Sequence, residues 1–296
     1  MKKLFILAAI ASAMLTACTK PEKKSEMALP SYKTNHASLT FRTDKFAAEF
    51  GSGVLPVTVE LTSDGRYILG RKRQEDGKTE YKTGTFTLQQ LKASPLAYDL
   101  SPYGKIVVKD PDAKPWVVTF TVGGKEYELT ADVAADIITG AFADDLCRNW
   151  KPASIVVSAK GGDLPASMGA AKTFTGGDLK AVGDYLVENG IKVDVAKFSK
   201  FNIDSIEFTE SGKVFINFKD SSVDPYFGTF TVSGGKENNF SYDFKLAYED
   251  NPVIPVKGVG TVSIKDSMMS FYTESEVKSG GKVYNVSLTV ICNKEK

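Results

Sequence analysis

One stretch of this chain is written twice, and a duplicated stretch constrains the fold more than any single motif. Val59-Glu-Leu-Thr-Ser-Asp-Gly-Arg-Tyr-Ile-Leu69 returns 147 positions later as Ile206-Glu-Phe-Thr-Glu-Ser-Gly-Lys-Val-Phe-Ile216. Gly84-Thr-Phe-Thr-Leu88 returns 144 positions later as Gly228-Thr-Phe-Thr-Val232. Each copy reads as an apolar strand, a polar turn carrying Gly, a second strand, and a further Gly-Thr-Phe-Thr strand. Val107-Val-Lys-Asp110 matches Ser263-Ile-Lys-Asp266, and Gly124-Lys125 matches Gly281-Lys282, at similar offsets. The repeat therefore spans nearly the whole of each half.

Ahead of both copies stands an export leader. Lys2 and Lys3 are followed by an apolar run from Leu4 to Met14, too short to span a bilayer, and by Leu15-Thr-Ala-Cys18. That tetrapeptide resembles a bacterial lipobox, which implies that residues 1–17 are removed and Cys18 is lipidated as the first mature residue. Acyl chains anchor a protein to a membrane without crossing it, at about 0.8 kcal/mol per buried CH₂. Residues 18–30, charged and bounded by prolines, read as a flexible tether. The expected address is the bacterial cell envelope, on the outer membrane. Thr19-Lys-Pro-Glu22 does not select between its two faces.

Loss of Lys2 and Lys3 moves the formal charge from +1 to −1, which leaves no electrostatic footprint for nucleic acid. No downstream run of 18 apolar residues argues for a transmembrane helix. Gly-rich turns with 18 Phe and 12 Tyr point to β structure.

The first unit, 31–131, carries strands near 37–42, 56–62, 66–73, 80–89, 96–100, 104–109, 115–122 and 125–131. A helix is expected over 43–51, with Thr43 as its cap and Gly51 as its stop. Residues 132–146 carry Val133, Ile137, Ile138, Phe142 and Leu146 at helical spacing behind Asp132, which predicts a junction helix. The second unit, 147–296, opens with a strand near 153–157 and a helix over 178–189. Strands follow near 203–209, 213–219, 226–233, 239–248, 256–265, 268–278 and 282–292.

Eight antiparallel strands with short turns leave two unpaired edges unless the sheet closes, and eight strands suit a small barrel. The expected fold is all-β with a few short helices: two tandem eight-stranded antiparallel barrels in a monomer. Leu146-Cys-Arg-Asn-Trp-Lys151, followed by a strand and a helix, resembles the start of the lipocalin-like domains of uncharacterised Bacteroidota lipoproteins. Lipocalins carry Gly-x-Trp where this chain has Arg148-Asn-Trp150. The resemblance implies a lipocalin-like barrel and an envelope location, with Trp150 at the base.

No catalytic or metal constellation emerges, and no cofactor is implied. His36 is the sole histidine and lies in a polar segment, so His-based triads and multi-His metal sites are excluded. Asp110-Pro-Asp112 and Asp220-Ser-Ser-Val-Asp224 read as turns and lack the dense oxygen spacing of Ca²⁺ loops. Cys147 and Cys292 fall at the start and end of neighbouring barrel strands, where either a disulfide or two separate buried thiols fits.

Two functions follow from such a barrel. A small apolar or amphipathic ligand could lie in the second unit under the 178–189 helix, against Phe208, Phe230, Tyr242, Phe244 and Leu186. The same side chains could instead fill the barrel. In the alternative, the barrels are scaffolds for a protein or glycan partner, met by aromatics such as Tyr103, Trp116 and Tyr226 beside turns.

Overall fold

The computed structural model describes residues 30–90, 95–236, 239–246 and 257–295. The leader, Cys18 and the tether lie outside the described residues.

The first unit runs β1 (Ala37–Phe41), α1 (Ala47–Gly51), β2 (Pro56–Leu61), β3 (Arg66–Lys72), β4 (Thr79–Thr85), β5 (Thr87–Gln90), β6 (Leu96–Asp99), β7 (Lys105–Val108), β8 (Trp116–Val122) and β9 (Lys125–Val133). Its sheet has the order β4-β3-β2-β1-β9-β8-β7-β6-β5, all antiparallel. β4 and β5 are two halves of one strand bent at Phe86; the first half pairs with β3 and the second with β6. The ring of eight strands thus closes, as the edge argument requires. Gly123 and Gly124, both at positive φ, make the two-residue turn between β8 and β9. Inward residues such as Leu39, Val59, Leu69, Tyr98, Ile106, Val118 and Phe120 form a continuous core. Each fully buried Leu, Val or Phe stabilises by about 1.5–3 kcal/mol.

Two expected helices are shorter than their spacing suggested. Helix α1 begins only at Ala47, because Phe46 sits in the left-handed region at φ 58 with its ring edge-on to Tyr127. Thr43 therefore caps nothing, and Phe50 alone enters the core. The junction helix shrinks to α2 (Ala141–Leu146), because pairing with β1 carries β9 on to Val133. Asp132, expected as a helix cap, lies in that strand and holds Arg42 at 2.7 Å.

The second unit runs β10 (Asn149–Gly161), β11 (Lys172–Thr175), α3 (Leu179–Glu188), α4 (Val195–Lys200), β12 (Ile203–Phe208), β13 (Lys213–Phe218), β14 (Tyr226–Thr229), β15 (Ser233–Lys236), β16 (Asn239–Leu246), β17 (Lys257–Lys265), β18 (Met268–Ser279) and β19 (Lys282–Lys294). β10 pairs with β19 along one side and with β12 at Asn149 and Trp150 on the other, closing this ring too. Where β10 leaves β12, its outer edge takes up β11, and helices α3 and α4 fill the excursion between them. The first strand is thus much longer than the expected 153–157 segment, with a register shift at Pro152, which has no N–H for the ladder. Trp150 closes the base, donating Nε1–H to the Leu146 carbonyl at 2.9 Å.

Helix α3 matches its expected span and is capped twice. Asp178 accepts from Ala181 N at 3.1 Å, while Asn202 Oδ1 accepts from Leu179 N at 2.8 Å and Lys180 N at 3.3 Å. Three of the four orphan N–H groups of the first turn are so satisfied.

Candidate functional site

Of the five residues expected around a ligand in the second barrel, three have described side chains, and these pack against one another. Phe208 and Phe230 meet edge-on at 5.1 Å and are fully buried with Leu186 in one packed cluster. Among the described residues they belong to the packed core of the second barrel. Tyr242 and Phe244 lie on β16, and their side chains are outside the described residues. Of the three aromatics expected at a partner surface, two are buried. Trp116 is buried with its Nε1–H on the Pro111 carbonyl, and Tyr226 is buried between Phe201 and Phe218. Tyr103 alone of the three remains partly accessible.

Cys147 and Cys292 are not joined; both thiols are free and buried. Cys147 closes the C-terminal end of α2, outside β10, while Cys292 lies on β19 opposite Pro152, so the strand pair does not bring them together. Burial pushes the Cys292 thiol up to about 12 and raises that of Cys147, which suits inert packing groups. The acidic turns behave as turns: Asp110 accepts from the Asp112 and Ala113 amides, and Asp220 from Ser222. Among the described residues no cluster of metal-ligating side chains occurs.

Two features that no motif announced stand out. The first is the seam between the barrels, which the duplicated hairpins build together. Arg66 of the first copy reaches Glu207 of the second at 3.4 Å; Lys213 of the second reaches Glu60 of the first. In the repeat, Glu60 corresponds to Glu207 and Arg66 to Lys213, so the two ion pairs are one contact made in both directions. Such reciprocity is the signature of an isologous interface. Ile68 and Phe215, also equivalent, are each about 1% exposed yet belong to neither barrel core. They point outward from their barrels and are buried between them. Tyr81 adds an aromatic cluster with Phe215 at 5.5 Å and Phe227 at 5.2 Å. Glu210 O accepts from Ile137 N and Ile138 N, tying the linker across the same seam. The whole of Ser31–Lys296 is in consequence one compact unit.

Several titratable groups at this seam are shifted from their ordinary values. Burial raises the Glu60 carboxyl, although Lys213, Ser38 and Ser211 pull it part of the way back. Burial also drives Glu207 up to about 8, with Arg66 opposing and Asp64 and Glu295 adding to the rise. Its Oε1 has no hydrogen-bond partner, nor has Oδ1 of Asn149, directly opposite on β10. His36, expected on the surface, is half-buried. Desolvation lowers its pKa, but the Asp136 hydrogen bond at 2.9 Å and the charges of Glu210 and Asp136 raise it further.

The second feature is a cleft of about 730 Å³ at the end of the first barrel remote from the β2–β3 turn. Leu69, Phe120, Val122 and Tyr127 form its floor, and α1, the β3–β4 turn and the 102–103 loop its rim. Arg71 is fixed there by Glu80 at 2.7 Å and lies 5.3 Å from the centre of the Tyr103 ring. Arg73 is held by Asp76 at 2.9 Å and, from the second barrel, by Asp224 at 3.1 Å.

No family model matches the chain, and no curated protein does. Three solved chains match. One is the vaccine antigen Transferrin Binding Protein B of Haemophilus parasuis as a double mutant, with 6% identity over 81% of this chain and 54% of that one, at a TM-score of 0.27. A single mutant of the same antigen matches with 6% identity, 78% and 51% coverage and a TM-score of 0.25. This chain spans about half the length of the solved structures it matches.

Proposed function

We propose that the protein is a non-enzymatic, lipid-anchored lipoprotein of the bacterial outer membrane, of the lipocalin-like kind. Its two fused barrels serve as a rigid scaffold for a protein or glycan partner. The observation that supports this is the packing of the described core side chains: Phe208, Phe230 and Leu186 in the second barrel, Tyr98 and Phe120 in the first, are at most 3% exposed. Side chains that pack into a barrel's core favour recognition at its outer surface and rims over carriage inside it. The reciprocal seam supports the same reading, since it holds two surfaces in one fixed relation and lowers the ordering cost of engaging both. Organic extraction of protein purified from its own host tests this. The expected result is no stoichiometric lipid from the barrels beyond the acyl chains on Cys18. A hydrophobic molecule recovered at one per chain would restore ligand carriage and end the scaffold reading.

A further inference from the structure

We infer that the cleft at the end of the first barrel is a saccharide-binding site; this rests on the scaffold reading and names the partner's chemistry. The inference begins with charge. Of the cations that line the cleft, Arg71 is committed to Glu80, and Arg73 to Asp76 and Asp224. Lys72 and Lys125 have no acidic partner among the described residues, and neither Glu49 nor Glu75 has a basic one. The uncommitted charges balance two against two. An anionic amphiphile would gain no net attraction here, and an apolar ligand would have to strip water from four charged side chains.

A neutral ligand dense in hydroxyl groups meets neither obstacle. Its hydroxyls can pair with planar guanidinium and carboxylate groups, each with several donors or acceptors in fixed directions. Its C–H faces can rest on the partly accessible ring of Tyr103, since an aromatic face carries the negative end of the ring quadrupole. The site is also pre-organised. Arg71 is locked between Glu80 and the Tyr103 ring, and Glu80 is held from its other side by Lys82 at 3.1 Å. Arg73 is steadied across the seam by Asp224, so the second barrel braces a site that lies on the first. Fixed side chains lose little freedom on binding, which is what a weakly binding, strongly hydrated ligand requires.

The test is titration of the isotopically labelled mature chain with maltotriose, mannotriose and chitotriose, followed by amide chemical shifts. At least one trisaccharide is expected to bind with a Kd of about 1 mM or tighter and to shift amides of the 71–80 and 102–104 segments. Tyr103→Ala and Arg71→Ala are expected to weaken it about tenfold, while Tyr103→Phe, which keeps the ring, retains it. An unchanged amide spectrum outside the cleft verifies that the variants are folded. Absence of shifts with all three sugars overturns the proposal, as does dodecanoate shifting the same amides in their place. Either result leaves the scaffold reading standing, because that reading fails only if the barrels yield a stoichiometric lipid.

Discussion

At the scale of single residues, Glu207 is the group with most at stake. Its side chain is fully buried, its Oε1 is orphaned, and its pKa of about 8 leaves it mainly protonated at neutral pH. A proton on Oε1 turns an unsatisfied acceptor into a donor facing Asn149 Oδ1, and removes a buried charge that Arg66 alone does not fully offset. The direction in pH follows. Its folded pKa lies above the ordinary 4.5, so the native chain holds a proton the unfolded chain has released, and stability falls as pH rises from about 4.5 to about 8. His36, raised above 6.5, acts in the same sense: its contribution is complete below 6.5 and is lost as pH rises through its folded value. Glu207→Gln stays neutral throughout. Urea denaturation should show this variant gaining on the parent between pH 5.5 and pH 8.5 (about the span of the titration); parallel curves would refute a protonated Glu207. Cys147 and Cys292 give a second expectation: thiol titration of the mature chain should find two free thiols that react only after unfolding. A mass two hydrogens lighter under non-reducing conditions would show the disulfide instead.

At the scale of elements, pattern and outcome agree where one local force acts and part where two compete. Alternation in β8, β9 and β19 was readable because one face of each strand is buried and the other wet. The helical spacing of 132–146 was real but lost to the ladder between β1 and β9, whose partner lies about ninety residues upstream. α3 was legible from Asp178 and its apolar face, yet its second cap, Asn202, is 23 residues away and has no local signature. Asp178→Ala should lower stability by about 1 kcal/mol, with faster amide exchange at Ala181 and little change at Leu179, which Asn202 still holds. Equal acceleration at both amides would show that the caps are not separate. The repeat's turn glycines are likewise fixed by geometry. Gly65 and Gly212 sit at φ 84 and φ 74, and a Cβ on Gly212 would fall 2.1 Å from Cδ1 of Ile137.

At the scale of the whole molecule, the reciprocal ion pairs couple two closed barrels that each have their own core. Lys213→Met leaves the Glu60 carboxylate buried without its cation and should lower stability by about 3 kcal/mol. Adding Glu60→Leu should recover most of that loss, since an apolar pair of similar volume suits a buried site. A double variant as unstable as the sum of the singles would mean that the two residues do not act as a pair.

A hint of this seam was in the sequence. Tyr67-Ile-Leu69 and Val214-Phe-Ile216 are unbroken apolar runs, as strands buried on both faces tend to be, and both lie in the repeat directly after a basic residue. The sequence by itself determined the period-2 strands, the turns, the eight-strand count and the duplication, because each is set by short-range patterning and by the requirement to leave no open edge. Only the tertiary structure decided that the duplicated hairpins face one another, that Phe208 and Phe230 pack together in the second barrel's core, and that an open cleft lies on the first barrel. Those outcomes depend on which outward faces meet and on how side-chain volumes add up in three dimensions, and neither is written into the spacing along one strand.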